Sequence, residues 1–139
     1  MEIEGKLNIK PIVWSEFFSY QHLDQPIAIV FLNTLEPGCD PEMPGLQAVY
    51  EKYKDHGLVV FGIGVGSSRP ALRNYTGRFG GLNFPQLSDW EHTVARDYEV
   101  GRVPTNVFIR KNGKIWQVSP KAMNGAQLDA MVATLFNMP

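Results

Sequence analysis

Cys39 is the only cysteine in the chain, so no disulfide can form within it. The three histidines, His22, His56 and His92, lie in unrelated segments without a pairing spacing, and no metal site is expected from them. Neither sign of charge is in excess. Thirteen basic against fourteen acidic residues leave a net charge of −1, and no basic run gives an electrostatic reason to expect nucleic acid or an anionic membrane as partner. Long hydrophobic runs are missing too, since none approaches the roughly 20 residues that span a bilayer. The opening Met1-Glu2-Ile3-Glu4 has neither the charged nor the apolar region of a signal peptide, so the chain as written reads as cytoplasmic. A chain whose leader had been removed would look the same, which leaves a periplasmic or other extracytoplasmic setting open. There is no repeat and no low-complexity segment. Gly62-Ile63-Gly64-Val65-Gly66 lacks the GxGxxG spacing and the lysine of a phosphate loop, so no cofactor is expected.

What is present is apolar and aromatic: 44% hydrophobic and 12% aromatic residues in 139 predict one compact core and a single domain over residues 1–139, with residues 1–6 polar and frayed. Leu7-Asn8-Ile9 suggests a short edge strand, and Ser15 a cap for a brief helix carrying Phe17, Phe18 and Tyr20. The apolar run Ile27 to Leu32 is too short for a buried helix and oily on both faces, as a central strand must be. A helix beginning near Cys39 shows Met43, Leu46, Tyr50 and Tyr53 at near-helical spacing, with Pro44 predicting a kink and Gly57 a C-cap.

Leu58 to Val65 reads as a second strand, parallel to the first by the crossover rule. Ser68 starts a helix whose Leu72, Tyr75 and Phe79 face inward, and Gly80-Gly81 stops it before Phe84-Pro85-Gln86-Leu87. Asp89 caps a short helix through Val94 and Tyr98. Val107-Phe108-Ile109 and Ile115-Trp116-Gln117-Val118 flank Asn112-Gly113, a strong hairpin signal. Leu128, Met131, Val132, Leu135 and Phe136 mark a final amphipathic helix. Trp14, Trp90 and Trp116 read as core or edge packing. The fold class is α/β, a mixed sheet with helices on both faces.

Chemistry is expected where the first strand ends, at Glu36-Pro37-Gly38-Cys39. A thiol at a helix N-terminus is acidified by the macrodipole, whereas the carboxylates of Glu36, Asp40 and Glu42 oppose its ionisation. Both a weakly reactive thiol and a redox role stay open on these residues.

The segment Phe31, Thr34, Gly38, Cys39, Glu42, Met43, Pro44, Leu46 resembles the active-site pattern F-W-A-x-W-C-x-P-C-x-x-E-M-P-x-L of TlpA/ResA-type thiol-disulfide oxidoreductases. Phe84-Pro85-Gln86-Leu87-Ser88-Asp89, Val103-Pro104-Thr105 and Asn112-Gly113-Lys114-Ile115 are similar to that family's F-P-V-L-x-D, V-P-T and D-G-K-I in the same order. The resemblance implies a thioredoxin-like fold, with protein or small-molecule thiols and disulfides as partners. It places Cys39 at the second, resolving cysteine and Glu36 at the first, with Glu42 as the acidic residue that tunes the thiol. It also makes Pro104 a cis-proline facing the turn, in a groove formed by Pro37, Gly38, Arg102, Val103 and Pro104. Val30 stands where classical thioredoxins hold a buried aspartate. Without an attacking cysteine, the dithiol cycle is not expected. Glu36-Pro37-Gly38-Cys39 also resembles the T-P-G-C of peroxiredoxins, which would make peroxide the substrate of one cysteine, although Glu36 replaces the threonine and Pro104 stands where their arginine would fall. The remaining alternative is a domain that binds a partner without turnover. An ion pair between Glu36 and Arg102 across the groove is a further expectation.

Overall fold

A computed structural model describes residues 24–139. The expectations for residues 1–6, Leu7-Asn8-Ile9, the helix after Ser15, Trp14 and His22 lie outside the described residues. Among the described residues, five strands form one sheet in the order β3-β2-β1-β4-β5. β1 (Ile27–Leu32), β2 (Val59–Val65) and β3 (Gln86–Asp89) are parallel, and β4 (Thr105–Ile109) and β5 (Ile115–Ser119) complete it antiparallel. Every residue of β1 and β2 is buried, which is why their sequences run apolar without alternation.

The two faces of β1 feed two cores. Ala28, Val30 and Leu32 pack under α1 (Met43–Tyr53), α2 (Arg69–Arg78) and α4 (Gly125–Phe136), while Ile27, Ile29 and Phe31 pack against α3 (Thr93–Asp97). Full burial of each such side chain contributes about 1.5–3 kcal/mol before chain entropy is charged.

Local signals act where they were expected. Ser68 Oγ accepts from the Ala71 N–H at 3.2 Å, and Gly57 takes a left-handed φ of 104° behind α1. Gly113, with φ 86°, turns the β4-β5 hairpin between Arg110 and Lys114. Asp89 caps from a distance: it is the last residue of β3, and its two oxygens accept from the N–H groups of Val94 at 3.1 Å and Ala95 at 2.9 Å.

Three expectations are corrected. The α-helix does not begin near Cys39, because Pro37–Glu42 forms a 3-10 turn first. Pro41 and Pro44 have no N–H to donate four residues back, so the chain closes tighter bonds, with the Met43 N–H reaching the Asp40 carbonyl. Pro44 is consequently the second residue of α1, where a missing N–H costs nothing, and no interior kink is required of it. Trp90 is 61% exposed in place of packing, whereas Trp116 lies edge-on to Phe108.

Candidate functional site

β1 delivers the Asn33-to-Gly38 loop to the carboxyl end of the sheet, and the loop before β4 arrives beside it because β4 pairs with β1. Between them opens a cleft of about 630 Å³ lined by Glu36, Gly38, Arg102, Val103, Pro104, Lys121 and Ala122. The Val103-Pro104 bond is cis. The structure thus brings together five of the residues singled out in the sequence. Pro37 is exposed but off the wall, and Cys39 and Glu42 are buried.

Glu36 caps the 3-10 turn. Its Oε1 accepts from the Gly38 N–H at 3.0 Å, and its carbonyl accepts from the Cys39 N–H at 3.1 Å. Arg102 shares the cleft with Glu36, but among the described residues no ion pair joins them. The expected pair does not form because the Glu36 carboxylate turns back onto its own loop. His56 and His92 are exposed, and the described residues hold no cluster of potential metal ligands.

The Cys39 thiol has no solvent exposure, and its pKa is pushed up to about 11. Burial is the main cause, and the charges of Glu36, Asp40 and Glu42 act the same way. A backbone hydrogen bond with Asn33 opposes them without reversing the result.

Glu42 is 1% exposed. Its Oε1 accepts from Asn106 Nδ2 and from the Met123 N–H, each at 2.9 Å, while its Oε2 is buried without a partner among the described residues. Burial raises its pKa, and the two hydrogen bonds limit the rise. Glu42 therefore ties the end of the Cys39 turn to β4 and to the residue before the Asn124 cap of α4. On the other flank, Asp40 reaches α2: its Oδ1 accepts from the Tyr75 hydroxyl and its Oδ2 from Arg78 Nη2, both at 2.9 Å.

Sequence reasoning missed Lys121, Ala122, Asn106, Tyr75 and Arg78 as neighbours of this site. Tyr75 had a visible signal as an inward residue of α2, but its hydroxyl partner is 35 positions away. Lys121 and Ala122 carry none, for they reach the cleft only because β5 ends there.

The AhpC/TSA family model matches residues 7–118. The thiol-disulfide oxidoreductase ResA of Geobacillus kaustophilus is 33% identical over 103 residues, which is 72% of this chain and 59% of that protein. ResA of Bacillus subtilis is 30% identical over 112 residues, 78% of this chain and 60% of the relative. The chain thus spans about three-fifths of the length of these relatives. A secreted Mycobacterium tuberculosis disulfide oxidoreductase homologous to E. coli DsbE superposes with a TM-score of 0.72 at 26% identity, covering 81% of this chain and 83% of the other. A thioredoxin family thiol:disulfide interchange protein of Chlorobium tepidum superposes with a TM-score of 0.75 at 21% identity, covering 85% and 83%. The fold is thioredoxin-like. No helix among the described residues is long and apolar enough to cross a membrane.

Proposed function

Because the chain belongs to the AhpC/TSA family, we propose that it presents the Glu36-to-Pro104 cleft to cysteine-bearing protein segments and exchanges thiols slowly, through Cys39 alone. The observation that carries this reading is the separation of roles at the turn. The exposed position beside the cleft holds a carboxylate, and the one thiol is buried with a pKa of about 11.

Arg102, Val103, Pro104, Pro37 and Gly38 are assigned to partner docking, with Glu36 as the fixed anion on the docking wall. Glu42 holds the turn that carries Cys39. In the exchange, the Cys39 thiolate attacks one sulfur of a partner disulfide. A new S–S bond forms, the old one breaks, and the departing partner sulfur leaves with the electron pair and then takes a proton. No second cysteine of this chain can cleave the mixed disulfide, so an external small-molecule or protein thiol must do so and supply the electrons.

Peroxide is the weaker reading. Cleavage of an O–O bond wants an ionised thiolate with a cation and a hydroxyl donor beside it. Here the charges acting on the thiol are Glu36, Asp40 and Glu42, and Glu36 stands in place of the hydroxyl.

Insulin reduction by dithiothreitol tests the proposal. The natural chain should not accelerate precipitation as a dithiol reductase does, and Glu36→Cys should restore measurable catalysis. Turnover by the natural chain at the level of an ordinary thioredoxin would refute it.

A further inference from the structure

We propose that Asp40, Tyr75 and Arg78 form a latch that sets how often the Cys39 thiol reaches solvent, acting as positioning residues for the exchange proposed above. Cys39 lies in a turn held by two polar ties of unequal character. The Glu42 tie, to Asn106 and the Met123 N–H, is buried on both sides. The Asp40 tie lies at the solvent boundary, with the Asp40 side chain 27% and the Arg78 side chain 54% exposed.

A tie whose partners can be rehydrated opens more readily than one whose charge and amides are sealed, so the turn lifts first on the α2 side. The 3-10 geometry between Pro37 and Glu42 leaves the turn few local bonds to resist that motion.

Tyr75 makes the tie specific. Its ring is 1% exposed and belongs to the same core cluster as Cys39 and Leu72. Its hydroxyl reaches out of that core to Asp40 at 2.9 Å. Arg78 closes the arrangement from outside, with its guanidinium 5.3 Å from the centre of the Tyr75 ring and 5.7 Å from that of Phe79. Burial and the neighbouring Asp40 carboxylate disfavour ionisation of Tyr75, so its hydroxyl keeps the proton it donates to Asp40. With the latch closed, the bonds from Tyr75 and Arg78 hold Asp40, the residue next to Cys39, against α2, and the thiol stays buried. With it open, the turn carries Cys39 toward the cleft.

The test is labelling of Cys39 in the intact chain by iodoacetamide at pH 8, followed by mass spectrometry in zero and low urea. Tyr75→Phe and Arg78→Met should each accelerate labelling about three- to tenfold, as loss of one tie shifts a local opening equilibrium. The rate should stay nearly independent of urea, because little surface is exposed. Loss of the Arg78 cation disfavours the thiolate, so electrostatics alone predicts slower labelling by Arg78→Met, and acceleration reports access.

Val94→Ala, in the core on the other face of the sheet, lowers global stability and should leave the labelling rate unchanged. Unchanged rates in both latch variants would overturn the proposal. So would equal acceleration by Val94→Ala with a steep urea dependence throughout. Labelling does not depend on insulin reduction, so a failed exchange reaction and a failed latch give different results.

Discussion

The pH dependence of Cys39 reactivity is the sharpest consequence of its surroundings. The thiol pKa is raised from 9.0 to about 11, so at pH 8 its thiolate population is about a hundredfold below that of an unperturbed thiol. Labelling by iodoacetamide between pH 6 and 10, with a small free thiol as reference, should show a rate that climbs about tenfold per pH unit and does not level off in that range. The same shift bears on stability. The folded state keeps the thiol proton more tightly than the unfolded chain, so stability is undiminished below pH 9 and falls as pH rises from about 9 to about 11. The Cys39 share of that loss is about 2–3 kcal/mol, an upper figure from two pH units at 1.36 kcal/mol each. Tyr75 and Tyr98, whose pKa values burial also raises, add to it, so Cys39→Ser should flatten the alkaline limb without abolishing it. A labelling plateau near pH 7, or a rate within threefold of the free thiol, would refute the picture of a buried, charge-opposed sulfur.

Three further outcomes follow from particular contacts. Glu42 has a raised folded pKa, so the fold loses stability as pH rises from the ordinary carboxylate range through that value. Glu42→Gln, which keeps the acceptor for Asn106 and Met123, should be more stable than the natural chain at pH 7 in thermal unfolding, with the advantage fading toward pH 4. Asp89→Ala leaves the Val94 and Ala95 N–H groups without their acceptor and should cost about 2 kcal/mol or more in urea denaturation, with α3 losing amide protection first. Gly45→Ala would put its Cβ 2.9 Å from the Gly125 backbone, and despite better helix propensity it should cost about 1–3 kcal/mol by the same measurement.

The parts of the fold legible in the sequence are those fixed by short-range chemistry. The apolar run at Ile27, the Asn112-Gly113 turn and the Ser68 cap each act within a few residues, and each appears in the structure as read. Pro104 was legible only through the Val-Pro-Thr resemblance, and its loop does face the Glu36 turn across the cleft. Side-chain pairings over distance were not legible. Reach alone allowed Glu36 to meet Arg102, but the nearer Gly38 N–H holds the carboxylate. The tight turn at Cys39 was hidden for a different reason: two prolines suppress the α-helical bonds, and periodicity does not register missing donors. Trp90 reads apolar by type, yet it follows β3, the edge strand among the described residues, where no described layer covers it.

The meeting of Gly45 with Gly125 is asymmetric. A Cβ at Gly125 would sit 3.5 Å from the Gly45 Cα, an ordinary contact, whereas one at Gly45 would strike backbone at 2.9 Å. Sequence change at these positions therefore has a direction. Position 125 is free to become alanine while 45 remains glycine, and that step fills the remaining gap and closes position 45 to any side chain. Redesign of the α1-α4 seam must begin at 125, or move the two helices apart before position 45 is touched.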